Sequence, residues 1–253
     1  MMPNYAKATM GTLRSHATGG RSGGKPGAIL LMGLPGAGKG TQAFRLAAQF
    51  PNFVHFDTGG EIYRRVSDPH FAADPLVQEQ KEIYFGGKLN TPEWVAGLVA
   101  ERIHFYSDKN QGVIFSGSPR TLYEAEAILP ILEECYGRER ILVIEMKVSP
   151  ETARERSLNR ITCTKKGCRY PAHRSQGGKP CPNCGQLLPE SGTQADEQWK
   201  IAQMGTRLKE YEERTKPALK FLKYELAHVH VNAEIDEESV FAKVLEAVKR
   251  NLE

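Results

Sequence analysis

A glycine loop that directly follows a buried strand constrains this chain more than any other feature of its sequence. Residues 28–32 (AILLM) form a continuous apolar run, which is typical of a strand buried on both faces. The loop GLPGAGK at 33–39 follows at once, and its glycines permit backbone angles and ligand contacts that other residues exclude. From Gly40 to Phe50 the apolar residues repeat with helical spacing, and Pro51 ends the pattern.

An arrangement of strand, glycine loop, lysine and helix N-terminus is suited to holding phosphates. Backbone amides, the helix dipole and the Lys39 ammonium can all contact phosphate oxygens. The loop pattern alone often arises by chance, but the strand before it and the helix after it favour a real site. The sequence therefore predicts that the chain binds a nucleoside triphosphate. The predicted binding residues are Gly33, Pro35, Gly36, Ala37, Gly38, Lys39, Gly40 and Thr41.

The excess basic charge of the chain is concentrated in its first 26 residues. The sequence contains 34 Lys and Arg and 30 Asp and Glu residues, which gives a formal net charge of +4. Residues 1–26 hold the whole excess and contain no acidic residue, so the body of the chain is neutral. A neutral body argues against a nucleic-acid groove across the fold. Because residues 1–26 are rich in Gly, Ser and Thr and lack an apolar period, we predict a disordered basic tail.

The N-terminal residues and the lengths of the apolar runs indicate where in the cell the protein is found. An acid-free start with Arg and Ser suits a transit peptide as well, although residues 1–26 lack a convincing amphipathic helix. No apolar run approaches the length of a membrane span, and no secretory signal core is visible. We therefore expect a soluble, cytoplasmic protein without a membrane partner.

Strand-like and helical segments alternate along the body of the chain. Strand patterns occupy 28–32, 53–57, 112–116, 141–146 and 228–232. Helical patterns lie between or after them, around 40–50, 61–65, 91–106, 125–132, 150–160, 201–211 and 240–248. This alternation predicts an α/β fold in which helices cover both faces of a parallel sheet.

Four cysteines in two pairs predict a metal site. Cys163 and Cys168 form one pair, Cys181 and Cys184 form the other, and twelve residues separate the pairs. Four thiolates at this spacing suit a closed, tetrahedral zinc site of structural type, although iron also accepts sulfur ligands. The intervening residues are too polar and glycine-rich to pack a core, so zinc would supply the folding energy. Disulfides are the weaker alternative in an intracellular chain.

Taken together, the motifs of this chain resemble those of the adenylate kinase family, in the family's order, from about residue 27 to residue 250. They are GLPGAGKGT at 33–41, Arg64 after Gly-Gly-Glu, SGSPRT at 116–121, ERSLNR at 155–160, the four cysteines, and TRLKEYEERTKP at 206–217. The resemblance implies a P-loop NTPase-type three-layer fold with a five-stranded parallel sheet. It also implies one kinase unit over 27–253, with a small helical monophosphate-binding insertion at 58–87 and a zinc-ribbon lid at 161–190.

The resemblance further implies a reaction, its substrates and its cofactors. Members of the family transfer the γ-phosphoryl group of Mg·ATP to a nucleoside monophosphate. Overall resemblance favours AMP as the acceptor, so that ATP and AMP give two ADP. The implied cofactors are Mg²⁺, bound with ATP, and a structural Zn²⁺ in the lid. The implied partners are small-molecule nucleotides, and we expect a monomer that binds no nucleic acid.

Positions in the family motifs imply roles for individual residues. Phosphoryl transfer requires two anions aligned for transfer and neutralisation of their charge, so several cations must reach one site. The implied catalytic residues are Lys39, Arg120, Arg156, Arg160 and Arg207. The implied monophosphate-binding residues are Thr58, Gly59, Arg64, Arg120 and Glu124. Because Arg156 and Arg160 are four residues apart, we expect them to project from the same face of one helix.

Three positions depart from the family pattern. Ser116 stands where the family usually has an Asp that orients waters on magnesium, and we predict that Asp57 compensates for the missing carboxylate. Gly59 stands where adenylate kinases have Thr, and Glu124 stands where they have Gln. An ionised Glu only accepts hydrogen bonds, whereas Gln also donates them, so Glu124 favours bases that present donors.

Alternative functions follow from these departures. Glu124 leaves GMP, CMP or UMP as other acceptors, and Ser116 allows a catalytically weak sensor that only binds nucleotides. The cations at family positions favour the enzyme, because a sensor has no need to stabilise a transferring phosphoryl group. A zinc-ribbon nucleic-acid binder requires a basic body and stacked aromatic residues, but the body is neutral and the cysteine segment offers only Tyr170.

Overall fold

The computed structural model describes residues 25–190 and 194–252. The predicted disordered tail therefore lies almost wholly outside the described residues. Within the described ranges, no helix is both long enough and apolar enough to cross a membrane.

A five-stranded parallel sheet forms the centre of the fold. The strands of the chain are β1 (Ala28–Met32), β2 (Phe53–Phe56), β3 (Gly112–Phe115), β4 (Ile141–Lys147), β5 (Arg160–Thr162), β6 (Pro171–His173) and β7 (Ala227–Asn232). The order in the sheet is β2-β3-β1-β4-β7, while β5 and β6 form a separate antiparallel hairpin. In the central strand β1, Ile29 pairs with Ile114 of β3 and with Leu142 of β4.

Helices cover the sheet on both faces. They are α1 (Lys39–Gln49), α2 (Thr58–Val66), α3 (Pro75–Phe85), α4 (Pro92–Ser107), α5 (Leu122–Tyr136), α6 (Pro150–Leu158), α7 (Gln194–Glu210), α8 (Lys216–Glu225) and α9 (Glu237–Leu252). Short 3₁₀ helices occur at Pro69–Phe71, Arg138–Arg140 and Arg174–Gln176. A π-helical segment, Tyr211–Thr215, joins α7 to α8, so the helix predicted around 201–211 extends further than its apolar pattern indicated.

Two buried clusters, one on each face of the sheet, give the fold three layers. Leu30, Phe115 and Val143 join residues of α4, α5 and α8 in the first cluster. Ile29 and Ile144 join residues of α1 and α9 in the second. Successive residues of β1 thus enter opposite cores, which is why the strand is apolar throughout. The predicted three-layer α/β fold with a five-stranded parallel sheet is confirmed.

One helix ends earlier than its sequence pattern predicts. Helix α6 covers Pro150–Leu158, and Asn159 forms its C-terminal cap. Arg160 belongs to β5 instead, where it pairs with His173 of β6. The prediction that Arg156 and Arg160 share one helical face is therefore wrong, because Arg160 pairs in the β5-β6 hairpin and does not continue α6.

Candidate active site

A cleft of about 660 Å³ opens at the carboxyl edge of the sheet. Its lining comes from the glycine loop after β1, the residues after β2 and β3, the helix α7 and the hairpin β5-β6. Ligands of open α/β folds bind at this edge, because the loops after neighbouring strands diverge there. All eight residues of the predicted triphosphate site line the cleft.

The glycine loop follows a backbone path that other residues do not tolerate. Gly33, Gly36 and Gly38 have φ values of 144°, 93° and 89°. A Cβ atom on Gly36 would lie 2.1 Å from the carbonyl oxygen of Ala153, so α6 leaves no space for a side chain. Helix α1 begins at Lys39, and the loop thereby directs the first amide groups of that helix into the cleft.

The ammonium of Lys39 is folded back onto the glycine loop. Its Nζ donates to the carbonyl oxygens of Gly33 at 2.8 Å and of Leu34 at 2.7 Å. Burial, followed by the charges of Arg120 and Arg160, lowers the pKa of Lys39 to about 7. An incoming anion would offset this repulsion, so Lys39 can exchange the two carbonyl oxygens for oxygens of a ligand.

Cations from four separate parts of the chain repel one another in the cleft. Arg120 precedes α5, Arg160 starts β5 and Arg207 lies on α7, and all three line the cleft together with Lys39. Burial, followed by the charges of Arg160 and Arg120, lowers the pKa of Arg207 to about 10. Burial also lowers the pKa of Arg160, although the carboxylate of Asp57 opposes this shift. Water reaches Arg160 through the cleft, and screening therefore moderates its repulsion.

Several of the predicted phosphate-binding arginines bind protein groups, and Nε of Arg120 donates to the carbonyl oxygen of Gly117 at 2.8 Å. Arg156 donates from Nη1 to the carbonyl oxygen of Ala233 at 2.7 Å, and both residues line the cleft. Arg64 donates to Glu61 from Nε at 3.1 Å and from Nη2 at 2.6 Å, and it is not among the described residues that line the cleft. Burial would raise the pKa of Glu61, but the hydrogen bonds and charges of Arg64 and Arg102 lower it.

The hydroxyl that replaces the family's Asp has a histidine partner. Ser116 Oγ lies 2.7 Å from Nε2 of His55, and both residues line the cleft. Burial lowers the pKa of His55 to about 4 against the opposing charge of Asp57, so the ring is neutral at neutral pH. His55 was not among the residues predicted from the sequence, although the alternation of side chains along β2 puts it on the same side as Asp57. The compensating role of Asp57 stays a prediction, and its Oδ2 accepts from Nε of Arg169 at 3.4 Å.

The predicted base-reading carboxylate forms hydrogen bonds to the two residues that precede α5. Glu124 lines the cleft together with Thr58, Gly59 and Arg120. Its Oε2 accepts from the backbone N–H of Arg120 at 2.9 Å, and its Oε1 accepts from the hydroxyl of Thr121 at 3.1 Å. Burial raises the pKa of Glu124, and these two hydrogen bonds oppose the shift. Both carboxyl oxygens thus have protein donors before any ligand binds.

The four cysteines of the predicted metal site form one cluster. Their sulfur atoms all lie within 4.8 Å of one another, with Cys163 and Cys184 at 3.6 Å and Cys168 and Cys181 at 3.8 Å. A tetrahedral zinc ion with Zn–S bonds of about 2.3 Å places its sulfurs roughly 3.8 Å apart, whereas a disulfide measures about 2.05 Å. Asn183 donates from Nδ2 to the sulfur of Cys168 at 3.2 Å. The cluster therefore fits a structural zinc ion.

The segment that carries these cysteines, residues 161–190, lies against the start of α1. The ring of Tyr170 is 5.2 Å from the ring of Phe44 on α1. Pro171 is so close to Gly40 that a Cβ atom there would lie 3.4 Å from its Cγ. The cysteine segment thus covers the end of the cleft where α1 begins.

The fold and the cleft define the class of this protein. A glycine loop between the central strand and a helix, facing several cations at the carboxyl edge of a parallel sheet, is the site of a P-loop nucleotide-binding protein.

Comparisons with known proteins identify the family. The family model described as adenylate kinase matches residues 31–227. Adenylate kinase from Geobacillus sp. (strain WCH70) is 31% identical over 220 residues, which cover 86% of this chain and 96% of that protein. The enzymes named adenylate kinase in Bacillus subtilis (strain 168) and Syntrophomonas wolfei are 32% and 34% identical over 218 and 229 residues. These matches cover 85% and 87% of this chain, and 95% and 98% of the relatives.

The chain belongs to the adenylate kinase family. It is accordingly a phosphotransferase, and more narrowly a nucleoside monophosphate kinase.

We predict one zinc ion per chain, which Cys181→Ala removes. Loss of the ion leaves the polar cysteine segment without its folding energy, and a loss of only ~2 kcal/mol lowers Tm by roughly 4–8 °C in a chain of this size. Elemental analysis and thermal unfolding measure both effects. The control is Cys135→Ala, since Cys135 lies outside the cluster, with its sulfur 3.6 Å from Nδ1 of His104. Retention of zinc in Cys181→Ala, or its loss in Cys135→Ala, would contradict the assignment.

We also predict that Mg·ATP binding takes up a proton above pH 7. The pKa of Lys39 is about 7 in the free protein, and bound phosphates would raise it, so affinity should fall as the pH rises above 7. Calorimetric titrations at pH 8 in buffers of different ionisation enthalpy measure the uptake. In the control variant Lys39→Arg the cation does not titrate, and the uptake should disappear. Equal uptake in both proteins would refute the role of Lys39.

Proposed function

We propose that this chain transfers the γ-phosphoryl group of Mg·ATP to AMP and so forms two molecules of ADP. The observation that carries the proposal is the convergence of Lys39, Arg120, Arg160 and Arg207 on one cleft. Cations from four separate segments suit two phosphate-bearing ligands that must be aligned for transfer. The similarity to proteins named adenylate kinase supports AMP as the acceptor.

The donor nucleotide is assigned to the glycine loop. The loop amides and the N-terminus of α1 would bind its β- and γ-phosphates, while Lys39 exchanges the carbonyl oxygens of Gly33 and Leu34 for phosphate oxygens. Magnesium bound with ATP would neutralise charge on these phosphates. The hydroxyl of Thr41 is its proposed protein ligand. Ser116, held by His55, offers a second oxygen, and oxygen donors with retained waters suit this ion.

The acceptor is assigned to the residues after β2 and β3. Arg120 would bind its phosphate, joined by Arg64 once that side chain leaves Glu61. The hydroxyl of Thr58 is buried and has no hydrogen-bond partner among the described residues, so it is available to a ligand. Gly59 next to it leaves room for the nucleoside.

The transferred phosphoryl group is assigned to the space between the two nucleotides. Arg156, Arg160 and Arg207 would neutralise the charge that spreads over its oxygens in the transition state. No covalent intermediate with the protein is required, because alignment and charge neutralisation supply the rate. The cysteine segment, which already lies against the start of α1, would act as a lid that keeps water from the γ-phosphate.

One observation favours a second acceptor. Glu124 is a carboxyl group at the position where the family has an amide, and an ionised carboxylate complements the adjacent N–H donors of guanine better than the edge of adenine. The raised pKa of Glu124 favours AMP instead, because it stabilises the neutral carboxyl group. A neutral carboxyl group both donates and accepts hydrogen bonds, as the amide of Gln does. The protonation of Glu124 would thus decide between AMP and GMP.

The remaining assignments concern organisation and location. We propose that residues 58–87 form the monophosphate-binding insertion and that 161–190 form the lid, with Zn²⁺ on its four cysteines. All five cysteines of the chain are free thiols, which supports a reducing compartment such as the cytoplasm. We propose that the protein works there as a monomer.

The proposed function predicts a definite order among acceptors. A coupled phosphotransfer assay with Mg·ATP compares AMP, GMP, CMP, UMP and dAMP at equal concentration. We expect AMP to exceed every ribonucleotide competitor by at least about tenfold in kcat/KM, which corresponds to ~1.4 kcal/mol.

The matched variant in this assay is Glu124→Gln, which restores the amide of the family. With AMP as the true acceptor, the variant should keep or improve its KM for AMP. A preference for GMP that Glu124→Gln shifts toward AMP would replace AMP by GMP in the proposal. Binding of ATP without turnover of any acceptor would support the sensor instead and direct attention to Ser116.

A further inference from the structure

A single side chain of the cysteine segment reaches two elements on the far side of the cleft. Arg169 lies between Cys168 and Tyr170, at the turn that leads into β6. Its Nε donates to Oδ2 of Asp57, the residue after β2, at 3.4 Å. Its guanidinium carbon lies 5.1 Å from the centre of the Tyr63 ring on α2, within cation–π distance. Arg169 therefore contacts both the end of β2 and the first helix of the proposed acceptor side.

A glycine provides the space in which the guanidinium lies. A Cβ atom on Gly60 would come within 2.9 Å of Nε of Arg169 and within 2.7 Å of Oδ2 of Asp57. Both distances are below those of ordinary contacts, so any larger residue would displace the pair. Gly60 does not adopt a left-handed conformation, and what it contributes here is its lack of a side chain.

The backbone conformation of Arg169 gives a second reason to assign a role to its side chain. Its φ of 51° lies in the left-handed region, which is unfavourable for a residue with a side chain. A glycine would fit this turn better, as Gly167 does two residues earlier with φ of 82°. The arginine at this position is therefore explained by its side chain and not by the turn.

We propose that Arg169 is a positioning residue that fastens the cysteine segment to α2, so that covering the donor and enclosing the acceptor occur together. Asp57 then accepts the hydrogen bond from Arg169, and the absence of a side chain on Gly60 leaves room for the two groups to meet. The contact couples two segments that approach the cleft from different sides and touch different nucleotides. The assignment of donor and acceptor to these sides rests on the proposed function, whereas the coupling itself does not.

Hydrogen exchange tests the coupling without any substrate. The variants are Arg169→Ala, Asp57→Asn and their combination, with Lys179→Ala as a control that removes an exposed cation from the same segment. We expect the amides of α2 to exchange about two- to fivefold faster in both single variants, because partly exposed ion pairs make modest contributions. The combination should be no faster than the single variants, since both remove the same contact.

Two results in this experiment would overturn the proposal. One is exchange in α2 that Arg169→Ala leaves unchanged. The other is an increase in the combined variant that equals the product of the two single increases, because the residues would then act independently. Lys179→Ala should match the unchanged protein, and acceleration of α2 in this variant would also count against a specific role of Arg169.

Steady-state kinetics with the same variants separate positioning from direct contact with phosphate. We expect KM for both nucleotides to rise together by about two- to fivefold in Arg169→Ala, with kcat unchanged or higher, because the closed complex loses one contact. A large loss of kcat with unchanged exchange in α2 would make Arg169 a phosphate ligand and overturn the proposal. Failure of the protein to phosphorylate AMP would refute the proposed function but leave the exchange result intact.

Discussion

Repulsion among cations at the carboxyl edge of the sheet is the constraint on which the rest of this structure depends. Burial lowers the pKa values of Lys39 and Arg207, and the positive charges of Arg120 and Arg160 lower them further, so these charges destabilise the protonated forms of Lys39 and Arg207. This repulsion has a cost in free energy, which the two buried cores on the faces of the sheet offset. A polyanion that enters the cleft removes this repulsion, which adds to its affinity.

The order of the strands explains why one cleft receives so many separate segments. Strand β1 lies between β3 and β4, so the glycine loop, the residues around Arg120 and the start of α6 all emerge at neighbouring positions. The chain changes direction at this point of the sheet, which is where open α/β folds place their ligands. The hairpin β5-β6 and the long helix α7 then supply Arg160 and Arg207 from outside the sheet. Each cation is thus held by a different element of the fold, and all of them already line the same cleft in the free protein.

Features that depend on short sequence spacing could be predicted well. The apolar run before GLPGAGK, the alternation of strands with helices, and the two cysteine pairs are local patterns, and the sheet and the sulfur cluster follow them. Contacts between distant residues could not be read in this way. The bond between His55 and Ser116 joins two strands, and the pairing of Arg160 with His173 depends on a hairpin that no alternation of apolar residues marks. Arg64 was assigned from its position in a family motif, which gave no indication that Glu61 holds it in the free protein.

The measurement that tests the central claim most directly uses ADP as the only nucleotide. If the cleft aligns ATP with AMP for transfer, the protein must also catalyse the reverse transfer between two ADP molecules. ³¹P NMR of the protein with Mg·ADP should show ATP and AMP appearing in equal amounts until equilibrium, with no inorganic phosphate. Release of inorganic phosphate, or no conversion of ADP at all, would contradict a cleft that aligns ATP with AMP for phosphoryl transfer.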